Sequence, residues 1–310
     1  VTQPADAVPD SLVARAPAAW RPYLQLSRAD RPIGFWLLLI PCVMGQMLGR
    51  VGEGVGLYDL VLLGLFLIGS LAMRGAGCTW NDLLDRDIDA RVARTAGRPL
   101  AAGTVTTRQA GAWLAVQLAV GFAVWLCLPD MAKWVALGAI PLVAAYPLMK
   151  RITWWPQAWL GLTFNWGVLV GYAAVEGSIG LEAILLYASC VAWTIGYDTI
   201  YAMQDREDDA LVGVRSTARL FGDAASGWIR LFYGAAAFLA AAAALSAGNT
   251  LWFVALFAPY AVHLFGQLRL LKPDDPATAL AVFRSNRTTG LLLACAYGLQ
   301  AIGPQLSALV

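Results

Sequence analysis

The sequence predicts an all-α polytopic membrane protein with nine transmembrane helices, on three observations. Of its 310 residues, 59% are hydrophobic and only 14% are charged, against about 45–50% and about 25% in soluble domains. The mean hydropathy is +0.61, which argues strongly against a soluble globular enzyme. At about 20 apolar residues per crossing, the apolar content supplies about nine helices and leaves almost nothing for a separate soluble core.

Residues 1–30 form a first region, a proline- and alanine-rich lead-in followed by Ser11 to Ser27. It is expected to be a cytosolic tail with a short interfacial helix. Residues 31–310 form the transmembrane domain. Its apolar runs, bounded by charge or turn residues, fall at about 33–49, 57–79, 109–128, 134–149, 156–175, 181–203, 227–247, 251–271 and 288–308. The runs at 33–49 and 134–149 are short for a full crossing. Cys42, Cys78, Cys127, Cys190 and Cys295 are scattered through these stretches without CxxC spacing, which reads as packing rather than disulfides or metal ligation.

Charge placement tests the topology. The tail and the loops on its side hold nineteen of the twenty-two Lys and Arg residues; the opposite side keeps Arg50 and Lys133, and Arg74 lies inside the second span. Basic residues accumulate on the cytoplasmic side, so the N-terminus is expected inside and the C-terminus outside. The long loops at 81–108 and 204–226 lie on the basic side, where function is expected.

Nine of the twenty acidic residues fall in two windows there: Asp82, Asp85, Asp87 and Asp89, then Asp198, Asp205, Glu207, Asp208 and Asp209. The first closes span two and the second closes span six. This placement suggests a pseudo-repeat of four-helix units with a ninth helix added, a plan common in membrane proteins. At 100° per residue, Asn81, Asp82, Asp85 and Asp89 share one stripe while Asp87 points away. Asp198, Asp205 and Asp209 form a second stripe, with Glu207 opposite. Carboxylates held so close need a compensating cation. Oxygen ligands without His or Cys suit a hard ion such as Mg2+, which takes one or two carboxylates together with substrate phosphate oxygens. Arg86, Arg91, Arg94, Arg98, Arg206 and Arg215 thread the same segments, and Lys150 and Arg151 lie on the same side. They fit a polyanion held partly by metal and partly by guanidinium. A divalent-cation transporter is the competing class, but its carboxylates belong near the bilayer midplane. Interleaved arginines would also repel a permeating cation.

Asn81-Asp82-Leu83-Leu84-Asp85-Arg86-Asp87-Ile88-Asp89 resembles the NDxxDxxxD signature of the UbiA superfamily of intramembrane aromatic prenyltransferases, and Arg94-Thr95-Ala96-Gly97-Arg98-Pro99-Leu100 resembles its RTxxRPL extension. The segment Tyr197 to Asp209 resembles the second motif in the branch whose acceptor is 4-hydroxybenzoate. Arg28-Ala29-Asp30-Arg31-Pro32-Ile33-Gly34, and Lys150-Arg151 with Trp155-Pro156-Gln157, are similar to further segments of that branch. Arg31 and Arg215 stand where the branch usually has Lys.

The resemblance implies a nine-helix bundle around a central cavity, with both aspartate motifs over it. It also implies transfer of a polyprenyl chain from its diphosphate to the ring carbon ortho to the phenol of 4-hydroxybenzoate, in ubiquinone synthesis. On that reading Asp82, Asp85, Asp89, Asp205 and Asp209 serve Mg2+, with Asp85 and Asp205 at the catalytic centre. Asn81, Arg86, Arg94, Lys150 and Arg151 serve the diphosphate. Arg31, Asn165 and Tyr201 face the acceptor, and Asp198 orients or deprotonates it. Asn165 and Trp166, within an apolar span, read either as an acceptor contact or as an interhelical hydrogen bond. His263, the only histidine, reads as a helix-contact residue. Relatives that prenylate haem, chlorophyllide, naphthoates or homogentisate are the nearest alternatives. The expected partners are polyprenyl diphosphate, 4-hydroxybenzoate and the bilayer, with no nucleic acid. The expected location is the bacterial inner membrane, with the mitochondrial inner membrane as the alternative.

Overall fold

The computed structural model describes residues 11–91, 95–204, 206, 210, 213–248, 252–271 and 275–303, without the side chains at 12 and 252. Arg94, Asp205, Glu207, Asp208 and Asp209 therefore lie outside the described residues. All regular structure among the described residues is helical. The helices are α1 (Leu12–Arg15), α2 (Arg21–Leu26), α3 (Ile33–Gly49), α4 (Leu57–Asp89), α5 (Thr107–Cys127), α6 (Asp130–Leu137) and α7 (Ala139–Ile152). They continue with α8 (Pro156–Phe164), α9 (Trp166–Glu176), α10 (Leu181–Met203), α11 (Thr217–Phe221), α12 (Ala225–Ser246), α13 (Trp252–Leu270) and α14 (Pro276–Ala301).

Among the described residues, seven segments are long and apolar enough to cross a membrane, with α6 and α7 counted as one, α8 and α9 as one, and α11 and α12 as one. The apolar α3 is shorter, at 17 residues. Several spans differ from the sequence reading; the one expected at 134–149, and read as short, covers Asp130–Ile152 with a division at Gly138 between α6 and α7. Helix α4 does not stop at 79 but continues to Asp89, 33 residues in all, because its last turns place Asp82 and Asp89 on one face where Arg28 and Arg98 meet them. The span expected at 156–175 is interrupted at Asn165, where φ −90° and ψ 1° leave the helical region. The last helix begins at Pro276, not 288. Asp275 Oδ1 accepts from the backbone N–H of Ala277 (3.0 Å) and of Thr278 (3.3 Å), and a proline at the first helical position completes a strong start signal.

The chain forms two compact units. One comprises residues up to Trp36 together with Gly64–Cys127; the other comprises Leu37–Leu63 and the chain from Leu128 onward. In the first, α2 is anchored by Leu26, fully buried among Leu100, Val105 and Ala110. Ser27 Oγ accepts from Trp113 Nε1 (2.9 Å) and Gln117 Nε2 (2.6 Å) of α5. Gln117 Oε1 in turn accepts from Thr79 of α4 at 3.2 Å.

In the second unit α10 is the most buried span, packing along α12, α8 and α14. Helices α3 and α9 touch through small residues. A Cβ on Gly45 would strike the carbonyl of Val168, and one on Gly171 would strike that of Cys42. With no hydrophobic drive between helices in lipid, such close approach is what holds them. Interhelical hydrogen bonds add to it: Trp193 Nε1 donates to Asn286 Oδ1 at 2.7 Å, and Tyr233 donates to Gln267 at 2.8 Å. His263 Nδ1 lies 2.8 Å from Thr289 Oγ1, a contact between α13 and α14. In the first turn of α4, Asp59 takes hydrogen bonds from Gly56 N (2.9 Å), Arg50 Nε (2.8 Å) and Gln46 Nε2 (3.1 Å). This cluster ties the end of α3 to the first turn of α4.

Candidate active site

The last three turns of α4 sort their charges by face. Asp82, Asp85 and Asp89 are 1%, 0% and 5% exposed, whereas Asp87 and Arg86 face outward and pair with each other at 3.0 Å. Arg86 also reaches Thr107 Oγ1 at 3.4 Å. Three carboxylates on a buried face demand positive charge. Two arginines supply it. Arg28 Nη2 lies 2.6 Å from Asp82 Oδ1. Arg98 Nη1 lies 3.3 Å from the same oxygen and 2.6 Å from Asp89 Oδ2, so both ends of the stripe converge on one cationic nitrogen. Burial works against the charge on Arg28, but the neighbouring Asp82 carboxylate outweighs it and holds the guanidinium pKa above its ordinary value. Asp82 Oδ2 is buried and makes no hydrogen bond.

These groups fit a hard divalent ion by donor chemistry: oxygen ligands only, buried, and already gathered about one positive centre. Among the described residues no three His, Cys, Asp or Glu side chains converge as a complete metal site. Asp205 and Asp209, the partners expected from the second motif, lie outside those residues.

The other expected site residues are distributed as follows. Asn81 is half-buried beside the stripe, and Arg31 is half-buried with Nε 3.3 Å from Asp30. Lys150 and Arg151 end α7, where the Lys150 carbonyl accepts from Arg215 N at 3.0 Å. This joins the segment after the second motif to that basic pair. Arg215 and Arg219 both lie over the Trp154 ring, at 5.8 and 5.4 Å. On α10, Asp198 is half-buried and Tyr201 packs on Phe283 with ring centroids 4.4 Å apart. Asn165 is fully buried in the α8–α9 break. Its Nδ2 donates to Thr194 Oγ1 (2.7 Å) and to the carbonyls of Gly161 (2.8 Å) and Cys190 (3.1 Å), while Oδ1 is buried without a partner. The nitrogen thus makes the interhelical hydrogen bonds that one reading of Asn165 expected.

From the sequence, Arg28 and Arg74 carried no site role, and Arg98 was read only as one of the arginines that fit a polyanion, not as a partner of the carboxylates. Arg28 and Arg98 meet the stripe from 54 and 16 residues away from Asp82, and no local pattern announces such pairs. Arg74 had a signal, a lone charge inside an apolar span. By the 100° rule it lies on the same face as Asp85, about 16 Å further down the helix axis. Its guanidinium rests against Gly34, where a Cβ would meet Cζ at 2.6 Å.

A helical chain with seven segments long and apolar enough to cross a membrane among its described residues, one of them ending in a buried acidic stripe met by arginines, is an integral membrane protein. The chain belongs to the UbiA prenyltransferase family, whose model matches residues 38–292. It is 44% identical over 284 residues to the mitochondrial 4-hydroxybenzoate polyprenyltransferase of Bos taurus, covering 91% of this chain and 76% of that one. Its fold matches the apo structure of a UbiA homologue from Aeropyrum pernix K1, with a TM-score of 0.71 at 25% identity over 84% of this chain and 96% of the other. It also matches a UbiA homologue from Archaeoglobus fulgidus bound to GPP and Mg2+, with a TM-score of 0.67 at 19% identity over 91% and 99% of the two chains. That last likeness shows the fold alone.

Proposed function

We propose that this protein transfers a polyprenyl group from polyprenyl diphosphate to the ring carbon ortho to the hydroxyl of 4-hydroxybenzoate, releasing diphosphate. The observation that carries the reading is the buried carboxylate stripe at the end of α4, with arginines already drawn to it. The extended identity to relatives named for this activity supports it.

Asp82, Asp85 and Asp89, with Asp205 and Asp209, would hold Mg2+. When bound, the ion neutralises charge that builds on the leaving oxygens. Asn81, Arg94, Lys150 and Arg151, joined by Arg86 once it turns from its outward pairing with Asp87, bind and orient the diphosphate as the bond from its oxygen to the allylic carbon breaks. The allylic carbon then bonds to the electron-rich ring, and the ring proton leaves to a base. Asp198 orients the acceptor or takes that proton, beside Tyr201, while Arg31 and Asn165 contact the acceptor. Arg74, deeper on the stripe's own face, offers a cation to the acceptor carboxylate. The apolar walls keep water from the reacting carbon.

We read the chain as crossing the membrane nine times, with α3 and α14 added to the seven long segments, in two four-helix units and a final helix. Residues 1–30 lie at the cytosolic surface, on the side that carries the basic loops. The relatives are named as mitochondrial, which supports the mitochondrial alternative over the bacterial one.

Membranes containing the protein, supplied with 4-hydroxybenzoate, polyprenyl diphosphate and Mg2+, should yield 3-polyprenyl-4-hydroxybenzoate by mass spectrometry. No product, or equal product after EDTA, would sink the reading.

A further inference from the structure

Arg28 is the one residue other than glycine, among those described, with a left-handed backbone, at φ +55°. A side chain with a Cβ disfavours that conformation, and it persists where the surroundings over-determine it. They do so here. Before it, Ser27 is fixed by Trp113 and Gln117 of α5, and Leu26 is locked in the core. After it, Arg31 N bonds back to the Arg28 carbonyl at 2.9 Å. The turn carries the guanidinium to Asp82, with Nη1 donating to Gln25 O at 3.0 Å and Nη2 to Asp82 Oδ1 at 2.6 Å.

Stability does not account for this arrangement. A buried ion pair is commonly matched or bettered by apolar residues of similar volume, and the turn adds strain. Arg98 differs from Arg28 in being shared between Asp82 and Asp89 and twice as exposed, at 18% against 9%. Of the three stripe carboxylates, Arg28 pairs with Asp82. Its bond is the shorter of the two that Oδ1 takes, at 2.6 Å against 3.3 Å from Arg98, and leaves Oδ2, buried and without a hydrogen bond, as the oxygen that Asp82 presents.

We propose that Arg28 is a positioning residue: from the interfacial segment it clamps Asp82 Oδ1 so that Oδ2 is held ready for a divalent cation bound with diphosphate. This rests on the reading of the α4 stripe as the metal and diphosphate end. Partners that orient ligating carboxylates govern metal affinity in this way.

The test uses the full chain in detergent and lipid, titrated with Mn2+ in the presence of inorganic diphosphate, with free Mn2+ read by electron paramagnetic resonance. Arg28→Gln should raise the Mn2+ concentration for half-saturation by about tenfold or more. Arg28→Lys, which keeps the charge but cannot hold Gln25 O and Asp82 together in a planar fork, should recover part of the loss. Ser27→Ala, which loosens the turn and touches no charge, should weaken Mn2+ binding by about threefold and speed amide exchange over residues 20–31. Folded Arg28→Gln protein with unchanged Mn2+ half-saturation would overturn the proposal. If that variant does not fold, unchanged half-saturation in Ser27→Ala overturns it equally. Wild-type protein that binds no Mn2+ with diphosphate would refute the underlying reading of the stripe. Since no measurement here uses an acceptor, failure to prenylate 4-hydroxybenzoate would refute the assigned reaction and leave the role of Arg28 standing.

Discussion

Replacing Asp85 and Asp87 separately by alanine tests whether the face of α4, and not its acidity, matters. The two residues are neighbours in a run of nine and differ in direction by about 200°. Asp85 is 0% exposed and lies between Asp82 and Asp89, about 4.5 Å along the axis from one and about 6 Å from the other. Asp87 has a side chain 79% exposed and, among the described residues, pairs with the surface Arg86. Removing a preorganised group that stabilises developing charge costs about 3–4 kcal/mol of transition-state stabilisation, or about 10²–10³ in kcat. An exposed ion pair contributes little beyond solvent screening. Asp85→Ala should therefore fall by at least about 10² in kcat, and Asp87→Ala should stay within about threefold of wild type. Product is measured by mass spectrometry at saturating 4-hydroxybenzoate and diphosphate, normalised to folded protein. Comparable losses in the two variants would refute the helical-face reasoning.

Three other substitutions probe packing and the acceptor. Gly171→Leu drives a side chain into the backbone of α3 at Cys42 and Gln46 and should destabilise the fold by about 3 kcal/mol, read as a lower thermal midpoint in detergent. Asn286→Leu strips the acceptor from the buried Trp193 indole and should cost about 1–2 kcal/mol; in a Trp193→Phe background the same change should cost measurably less. Gly34→Ala pushes on the flexible end of Arg74, so the KM for 4-hydroxybenzoate should rise by about tenfold or more while the thermal midpoint holds. An unchanged KM would remove Arg74 from the acceptor site.

The order of the helices was legible because lipid leaves few choices: each apolar run closes its own backbone hydrogen bonds. The span 181–203 coincides with α10. Limits were missed where hydropathy and helix propensity part company. Helix α4 outlasts its apolar stretch because Asp82 and Asp89 find Arg28 and Arg98, and α14 starts early because Asp275 and Pro276 cap it regardless of Arg284 and Arg287 within. The separation of Asp82, Asp85 and Asp89 from Asp87 followed from the 3.6-residue period alone. Their ion pairs did not, since Arg28 arrives through a left-handed turn that only tertiary anchoring at Ser27 sustains. The break at Asn165 was likewise hidden, because an amide in an apolar run looks alike whether it bonds to a neighbouring helix or to a ligand.

The length of α4 has a kinetic consequence. Its 33 residues span about 50 Å, while the hydrocarbon layer is about 30 Å thick. On the reading of α4 as a membrane span, its apolar stretch crosses the acyl chains and the carboxylates stand beyond them, at the depth of the phospholipid headgroups. An amphiphile whose diphosphate floats among those headgroups meets the carboxylates by lateral diffusion, with its tail never leaving the oil. Turnover should then follow the mole fraction of prenyl donor in the bilayer, and diluting the vesicles with buffer at fixed lipid composition should leave the rate per enzyme unchanged.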